Sequence, residues 1–214
     1  DSSYTTDNIN LNKQKSEVHA INFKLTQTLD SLTEFELEPK FKLNKSKQDN
    51  RQVTSFFDSK DTLTRQTNVL NANDANGYNI NTTAKLTRKF KNRDRLLRLN
   101  YNLVVDDNKS DGILKSYPSF ADSISSNDSI NQKKINTSSS QTHNGTIVYT
   151  EPLTKKIKLE FDYLFNYNAS QQSKKAQDYS NGEYTNYDSL LTNDFETVKM
   201  TNRFGLKFIN KKKN

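Results

Sequence analysis

The sequence contains no cysteine, and this absence removes several classes of chemistry at once. Disulfide frameworks, thiolate nucleophiles and cysteine-based metal sites are all excluded. With only five glycines, the chain has no glycine-rich loop of the kind that cradles phosphate groups. No apolar run approaches the roughly 18 residues of a transmembrane helix. These absences argue against a cysteine-dependent redox protein, a protein with a glycine-rich phosphate-binding loop and a protein with transmembrane helices.

Hydrophobic residues are scarce as well, at 31% of the chain. Globular domains carry roughly 45–50% on a count that includes glycine. Tryptophan is absent, but 12 phenylalanines and 10 tyrosines are present. Such polarity cannot fill a thick core and is compatible with disorder. The aromatic content, together with a regular alternation of apolar and polar residues, favours an ordered chain instead.

The net charge of +7 is spread along the sequence, with lysine and arginine interleaved with glutamate and aspartate. The single basic run is Lys211–Lys213. Nucleic-acid binders usually concentrate their charge on one face or helix, so no nucleic-acid partner is expected. The chain opens at Asp1 without a signal peptide, which is expected of a mature chain or of a piece of a longer one.

The segment KKIKLEFDYLFNYN, residues 155–168, has a strict period of two. Its odd positions from Ile157 to Tyr167 are all apolar or aromatic, whereas its even positions are mostly charged or amide. Alternation of this kind predicts a β-strand with one apolar and one polar face. The stretch is about twice as long as the five or six residues of an ordinary strand.

The same alternation recurs along the chain and predicts about seven long strands, with a frayed eighth before residue 15. No period of 3.6 residues appears. Pro39 falls on the apolar side of its strand and predicts a local defect or an edge. The predicted strands are 17–29, 33–43, 77–90, 95–105, 143–151, 155–168 and 195–209.

Short and long connections alternate between these strands. Tight links are predicted at Asp30–Thr33, Lys91–Asp94, Glu151–Lys155 and Asn210–Asn214, recurring roughly every 60 residues. Between them, long polar segments at 45–70, 106–142 and 168–194 are expected to be loops. A compact soluble domain rarely holds three such loops.

Long alternating strands, tight turns at one end and long loops at the other are the pattern of a transmembrane β-barrel. The fold class predicted is therefore all-β, an antiparallel transmembrane β-barrel segment. The residues expected to face lipid are Ile21, Phe23, Leu25, Phe35, Leu37, Leu97, Leu99, Tyr101, Leu159, Phe161, Tyr163, Phe165, Phe204, Leu206 and Phe208. The residues expected to face the lumen are Glu34, Glu36, Lys85, Arg98, Lys158, Glu160, Asp162, Lys199 and Arg203.

Aromatic residues near the strand ends are expected to form the interfacial girdles of such a barrel. The candidates are Tyr78, Phe90, Tyr149 and Tyr167. The alternative is a soluble or surface-exposed antiparallel sheet, a binding or adhesion module whose apolar face is covered by another element. A barrel enzyme is a third and weaker hypothesis, so no enzymatic activity is predicted.

Several segments resemble the outer-membrane β-barrel family of Bacteroidota, which is related to TonB-dependent receptors. They are FKNRDRLLRLNYNLVVDDNKSDG, GTIVYTEPLTKKIKLEFDYLFNYNASQQSKKAQDYS and YDSLLTNDFETVKMTNRFGLKF. The shared features are Tyr149–Leu153 before a lysine-rich turn, Asp188–Leu191 before Asn193–Phe195, and repeated Asn-x-Tyr strands. The resemblance covers most of the chain.

The resemblance implies a periplasmic domain, a plug in the lumen and a barrel of many strands, roughly 22 in the transporters. No stretch of this chain resembles a plug or an energy-coupling segment, so the chain is expected to be one part of a larger barrel (residues 1–214, a single partial domain). The implied partners are outer-membrane lipid, the remaining strands and plug, and a TonB-type energy-coupling protein or a surface lipoprotein. The implied location is the outer membrane of a Gram-negative bacterium.

Few residues suggest chemistry of their own, and no cofactor or metal is predicted. His19 and His143 lack a partner motif and are interpreted as surface or lumen residues. The segment Asp106–Gly112 has the composition of a calcium loop, but Lys109 occupies a ligand position, which favours a polar turn. A weaker hypothesis assigns ligand contact to three tyrosines of the third long loop, Tyr179, Tyr184 and Tyr187.

Overall fold

In a computed structural model, the protein is described for residues 4–91, 95–121 and 129–210. All of its regular structure there is β-strand, which confirms the predicted all-β class. The strands are β1 (Thr5–Asn22), β2 (Leu25–Asp30), β3 (Thr33–Phe57), β4 (Leu63–Lys89), β5 (Leu96–Phe120), β6 (Ile130–Pro152), β7 (Ile157–Ser180), β8 (Glu183–Tyr187) and β9 (Asn193–Asn210).

The strands form one antiparallel sheet in which neighbours in the chain are neighbours in space. The central order is β3-β4-β5-β6-β7. At one edge β1 and β2 both pair with β3, and at the other β8 and β9 both pair with β7. No ladder joins β1 to β9 in the described part of the chain, so the sheet is open. Because each neighbour reverses direction, β1 and β9 run the same way.

The long polar segments are not loops, and this part of the prediction is wrong. β3 and β4 continue the ladder up to the pair Phe57 and Leu63, so most of 45–70 is strand. Likewise β5 and β6 pair as far as Ser116 and Ile130, and β7 extends to Ser180. The connections that remain are short, with 122–128 lying outside the described residues. The frayed strand predicted before residue 15 is the first half of β1.

The tight turns agree with the prediction where they are described. Asp30 and Thr33 flank a turn in which the Asp30 carboxylate accepts hydrogen bonds from the Leu32 N–H (2.7 Å) and the Thr33 hydroxyl (3.0 Å). At 153–156, the Leu153 N–H donates to the Ile157 carbonyl over 3.0 Å. Residues 92–94 and 211–214 of the other two links, and the basic run at 211–213, lie outside the described residues.

Pro39 marks a local defect, as its position in the alternation predicts. It lies in β3 opposite the gap between β1 and β2. Its carbonyl still accepts a hydrogen bond from the Phe23 N–H over 3.0 Å. Proline has no N–H to return the bond, and the ladder is interrupted there.

The sheet has almost no buried core. Among the described hydrophobic residues only Ala176 is buried. The accessible surface is 15586 Å², whereas a compact soluble protein of 24.7 kDa exposes about 10,000 Å². The sheet is a single layer, and the apolar side chains on it are left uncovered.

Candidate functional site on the polar face

Pairing across the sheet sorts the side chains into two faces. Residues paired directly across an antiparallel ladder point to the same side. One row across β3 to β7 reads Phe35, Leu86, Leu99, Ile147 and Tyr163. The adjacent row reads Glu36, Lys85, Asn100, Thr146 and Leu164. We call the side with the first row the apolar face and the opposite side the polar face.

Both predicted sets of residues fall on single faces. The apolar face carries Ile21, Phe23, Leu25, Phe35, Leu37, Leu97, Leu99, Tyr101, Leu159, Phe161, Tyr163, Phe165, Phe204, Leu206 and Phe208. The polar face carries Glu34, Glu36, Lys85, Arg98, Lys158, Glu160, Asp162, Lys199 and Arg203. What each face contacts in the cell stays a prediction.

Charged side chains on the polar face neutralise one another across strands. Lys24 lies 3.0 Å from a carboxylate oxygen of Glu36 and 2.7 Å from one of Glu38. Lys85 approaches the other oxygen of Glu36 at 2.6 Å. The cluster thus holds two cations and two anions on β3, β4 and the link between β1 and β2. Lys24 is not among the predicted lumen-facing residues, because its partners Glu36 and Glu38 are identified only by the pairing of the strands.

A second group of paired charges lies on the β5–β9 side of the polar face. Arg98 reaches Glu160 at 3.6 Å, and the Thr150 hydroxyl donates to the same carboxylate over 3.4 Å. Arg203 lies 4.0 Å from Asp162. Opposite charges at these distances make the face mixed in sign, suited to hydrated solutes of either charge.

Gly205 makes room for the Asp162 carboxylate. A Cβ atom built on Gly205 would lie 2.0 Å from Asp162 Oδ1. The missing side chain therefore lets the carboxylate lie over the neighbouring strand within reach of Arg203. Any larger residue at 205 would push Asp162 away from that position.

Amide side chains fill the space between the charged groups. The Asn102 amide donates to Asn81 Oδ1 (2.8 Å) and to the Thr83 hydroxyl (3.1 Å). The Asn79 amide donates to Asp106 Oδ1 over 2.7 Å. Corresponding pairs on β6 and β7 are Asn168 with Thr142 and Asn166 with Asn144. Asparagine and threonine therefore line the polar face with donors and acceptors that water or a polar solute can share.

Both faces of the single-layer sheet are open. On the polar face, the side chains of Lys85 and Arg98 are 48% and 47% exposed, whereas those of Glu36 and Glu160 are each 19% exposed. On the opposite face, Phe161 is 46% and Phe204 81% exposed. Aromatic side chains are thus left uncovered on one face as charged side chains are on the other.

The apolar face is a band of limited height. On β3 it begins at Phe35 and ends at Leu43, after which the same face carries Lys45 and Lys47. On β5 it runs from Leu97 to Val105, with Asp107 next on that side. On β3 and β5 the band thus spans about nine residues, close to the length with which a tilted strand crosses a bilayer.

The band is staggered along the sheet. In the row that contains Phe35, β7 contributes Tyr163, yet the band on β7 continues towards the tight turn to Leu159. In the row that contains Leu43, β7 already contributes the polar Gln171. Both edges of the band thus drift in the same direction from β3 to β7. Such a drift is expected when strands tilt relative to a membrane plane.

Both histidines lie on the apolar face of the sheet, and their interpretation as surface or lumen residues stays a prediction. His143 Nδ1 is 2.6 Å from the Tyr101 hydroxyl oxygen, and its ring centre lies 5.9 Å from that of Tyr167. His19 pairs with Leu43 at the edge of the band. Tyrosine and histidine side chains at the edge of the apolar band each combine an apolar ring surface with a polar atom.

The predicted polar turn at Asp106–Gly112 is a stretch of β5, and the expectation of a turn is wrong. Alternation sends Asp106 and Asp107 to opposite faces, so their carboxylates do not converge. The described residues contain no group of three or more acidic, histidine or cysteine side chains placed to hold a metal ion.

The three tyrosines of the third predicted loop lie at the end of β7 and in β8. Tyr179 and Tyr184 contact edge to face at 5.0 Å between ring centres. The Tyr184 hydroxyl donates to Asn131 Oδ1 over 2.9 Å, whereas Tyr187 is 60% exposed. Two of the three are thus engaged within the sheet, and ligand contact by them stays a prediction.

Within the described ranges, no helix has the length and apolar character needed to cross a membrane. A comparison with known proteins finds no family model, no curated protein and no solved structure that matches this chain. The face geometry described above is therefore the basis for assigning a function.

Proposed function

We propose that this chain forms part of the wall of a β-barrel in the outer membrane of a Gram-negative bacterium, and that its polar face lines a passage for a polar solute. The intact protein would be a pore or a transporter similar to TonB-dependent receptors. The observation that carries the proposal is the apolar band, in which Phe41, Tyr101 and Phe161 are exposed, with paired charges on the opposite face. In water the uncovered band would drive aggregation, whereas acyl chains cover it at no cost.

The open edges of the sheet fit the wall of a larger barrel. β1 and β9 run in the same direction, so joining them directly would make a parallel seam. Single-chain bacterial barrels are antiparallel and have an even number of strands. The backbone N–H and C=O groups at the open edges of β1 and β9 also need hydrogen-bond partners from protein, because lipid offers none. An odd number of further strands between β9 and β1 satisfies both requirements.

The residues on the polar face would act by hydrogen bonding and charge, without covalent chemistry. The Glu36–Lys24–Lys85 cluster and the Arg98–Glu160 pair would replace part of the hydration shell of a passing solute. A plug and a TonB-type energy-coupling protein, or a surface lipoprotein, would supply gating and drive from outside this chain.

Thiol labelling in intact cells tests the proposal. Because the sequence contains no cysteine, Phe161→Cys and Asp162→Cys each introduce one thiol into it. In the full-length polypeptide, a membrane-impermeant maleimide should label Asp162→Cys and spare Phe161→Cys. After denaturation in SDS, the same reagent should label both variants, which shows that the Phe161→Cys thiol is intact.

Labelling of both positions by the impermeant reagent in intact cells would contradict a lipid-facing band. It would favour a surface-exposed β-module for binding or adhesion.

A further inference from the structure

The dipeptide Asn-Gly occurs at three places in the chain, and the fold gives each copy different surroundings. Asn76–Gly77 lies in β4 and Asn144–Gly145 lies in β6, whereas Asn181–Gly182 forms the turn between β7 and β8. In such a pair the backbone nitrogen of the glycine can approach the asparagine side chain closely, because glycine has no Cβ to obstruct it. The three pairs are alike in sequence, so any difference in their reactivity comes from the structure.

Two of the pairs are held inside the sheet. Gly77 lies between Asn44 of β3 and Asn108 of β5. Gly145 lies in the same way between β5 and β7. A strand with a neighbour on each side uses its backbone N–H groups in the ladders. The nitrogen of each of these glycines is therefore occupied, and the extended backbone around it is fixed.

The third pair, Asn181–Gly182, is open to solvent. Both residues are exposed, and a Cβ atom built on Gly182 would meet no atom within 4 Å. The Gly182 N–H has no hydrogen-bond partner in the part of the chain that the structure describes. Among the described strands, β8 is only five residues long and pairs with β7 alone. This turn therefore opens at a far smaller free-energy cost than the interior of β4 or β6.

We propose that Asn181 is a site of spontaneous deamidation and that the sheet protects the other two Asn-Gly pairs. The Gly182 nitrogen attacks the side-chain carbonyl carbon of Asn181, and a C–N bond forms as that nitrogen loses its proton to water. The bond from this carbon to Nδ2 breaks, and Nδ2 takes up a proton and leaves as ammonia. Water then opens the cyclic imide at either carbonyl, which gives aspartate or isoaspartate at position 181 without oxidation or reduction.

Isoaspartate at position 181 would open the hairpin. It lengthens the backbone by one carbon atom and so disrupts the two-residue turn that aligns β8 with β7. The ring contact between Tyr179 and Tyr184 and the hydrogen bond from Tyr184 to Asn131 would be lost with that alignment. The modification would thus release β8 from the sheet. This inference is independent of the proposed membrane location.

Mass spectrometry of tryptic peptides from the full-length polypeptide tests the inference. Cleavage after lysine and arginine places the three asparagines in the separate peptides 66–85, 135–155 and 176–199. After incubation of the folded protein at mildly alkaline pH, the deamidated fraction at Asn181 should exceed those at Asn76 and Asn144 by about tenfold or more, since sheet interiors open far more rarely than edge turns. In urea the three asparagines should convert at similar rates, because each is followed by glycine.

A deamidated fraction at Asn181 that is no larger than the other two in the folded protein overturns the inference. Hydrogen exchange tests the structural consequence. Residues 183–187 should lose protection in molecules that carry isoaspartate, whereas Asn181→Asp, which has the carboxylate on an unaltered backbone, should keep it. Equal protection in the two would show that the modification leaves the hairpin closed, contrary to the inference.

Discussion

Leu99 and Asn100 are neighbours in β5 that point to opposite sides of the sheet. Leu99 lies in a row with Leu86 and Ile147, whereas Asn100 lies beside Lys85 and Thr146. The two positions share one depth in the proposed bilayer, so they isolate the effect of the face from that of the position along the strand.

Arginine at position 99 and arginine at position 100 should lower the free energy of unfolding by very different amounts. Leu99→Arg should lower the free energy of unfolding from lipid bilayers by about 2 kcal/mol or more, because the charge would enter acyl chains. Asn100→Arg should cost well under that, since it adds a cation to a hydrated face. Denaturant titration of the full-length protein in vesicles measures both. Equal costs would argue against a lipid-facing band.

Asp58 gives a pH-dependent turn in the connection between β3 and β4. Its carboxylate accepts hydrogen bonds from the N–H groups of Thr62 (2.9 Å) and Lys60 (2.8 Å). These bonds hold the pKa of Asp58 below its ordinary value of 3.8. A lowered folded-state pKa means that the turn is fully stabilised above pH 3.8 and loses that stability as pH falls through the lower value.

Hydrogen exchange of the Lys60 and Thr62 amides, corrected for intrinsic rates, should show constant protection from pH 7 to 5 and a decline below pH 3.8. Asp58→Asn should remove the decline. If wild type and variant show the same profile, the Asp58 carboxylate does not control the turn.

At the residue scale, period two was enough to predict the faces. It placed Phe161 and Asp162 correctly on opposite sides because a strand reverses side-chain direction at every step. It could not predict that Lys24 bridges Glu36 and Glu38. Those contacts depend on register and topology, which single-strand patterns do not contain.

At the element scale, the strands are longer than the sequence indicates. Alternation of apolar and polar residues indicates a strand only where one face of the strand is apolar and the other contacts water. Past Leu43 and Val105 both faces are polar, so the pattern disappears although the ladder continues. Backbone pairing with neighbouring strands continues through 45–57 and 106–120, where apolar residues no longer alternate regularly with polar ones. Composition rich in serine and asparagine therefore predicted loops where the structure has strands.

The hairpin between β7 and β8 depends on the pair Asn181 and Gly182, both with positive φ (53° and 92°). Two-residue turns of this kind match the twist of the flanking strands. Gly182→Ala should destabilise the hairpin by about 1 kcal/mol or more, because a Cβ disfavours the left-handed region. Faster hydrogen exchange in β8 would report the loss.

Gly145→Ala is the matched control for this hairpin variant. Gly145 lies in β6, outside the left-handed region, and an added Cβ would meet Phe165 Cβ at an ordinary 3.9 Å. It should leave exchange in β8 unchanged. Equal effects of the two substitutions would show that backbone conformation at 182 does not stabilise the turn.

At the scale of the whole molecule, the sheet leaves an apolar band uncovered that a soluble fold would bury. The band has a height suited to a bilayer, and paired charges lie on the opposite face. The fold class followed from the sequence because strand pattern and low hydrophobic content both limited the choices. Whether the sheet closes into a barrel could not be predicted from the sequence, since the two edge strands carry no sequence signal for their partners.

The most direct test is a spin-label scan of residues 157–168 in β7 of the full-length protein in bilayers. Single cysteines are labelled, and their accessibility to oxygen and to a water-soluble nickel complex is measured. The account predicts a period of two, with oxygen favoured at odd positions such as Tyr163 and nickel at even positions such as Asp162. Uniform access of nickel to both sets, or exclusion of oxygen from the odd positions, would contradict a lipid-facing apolar band.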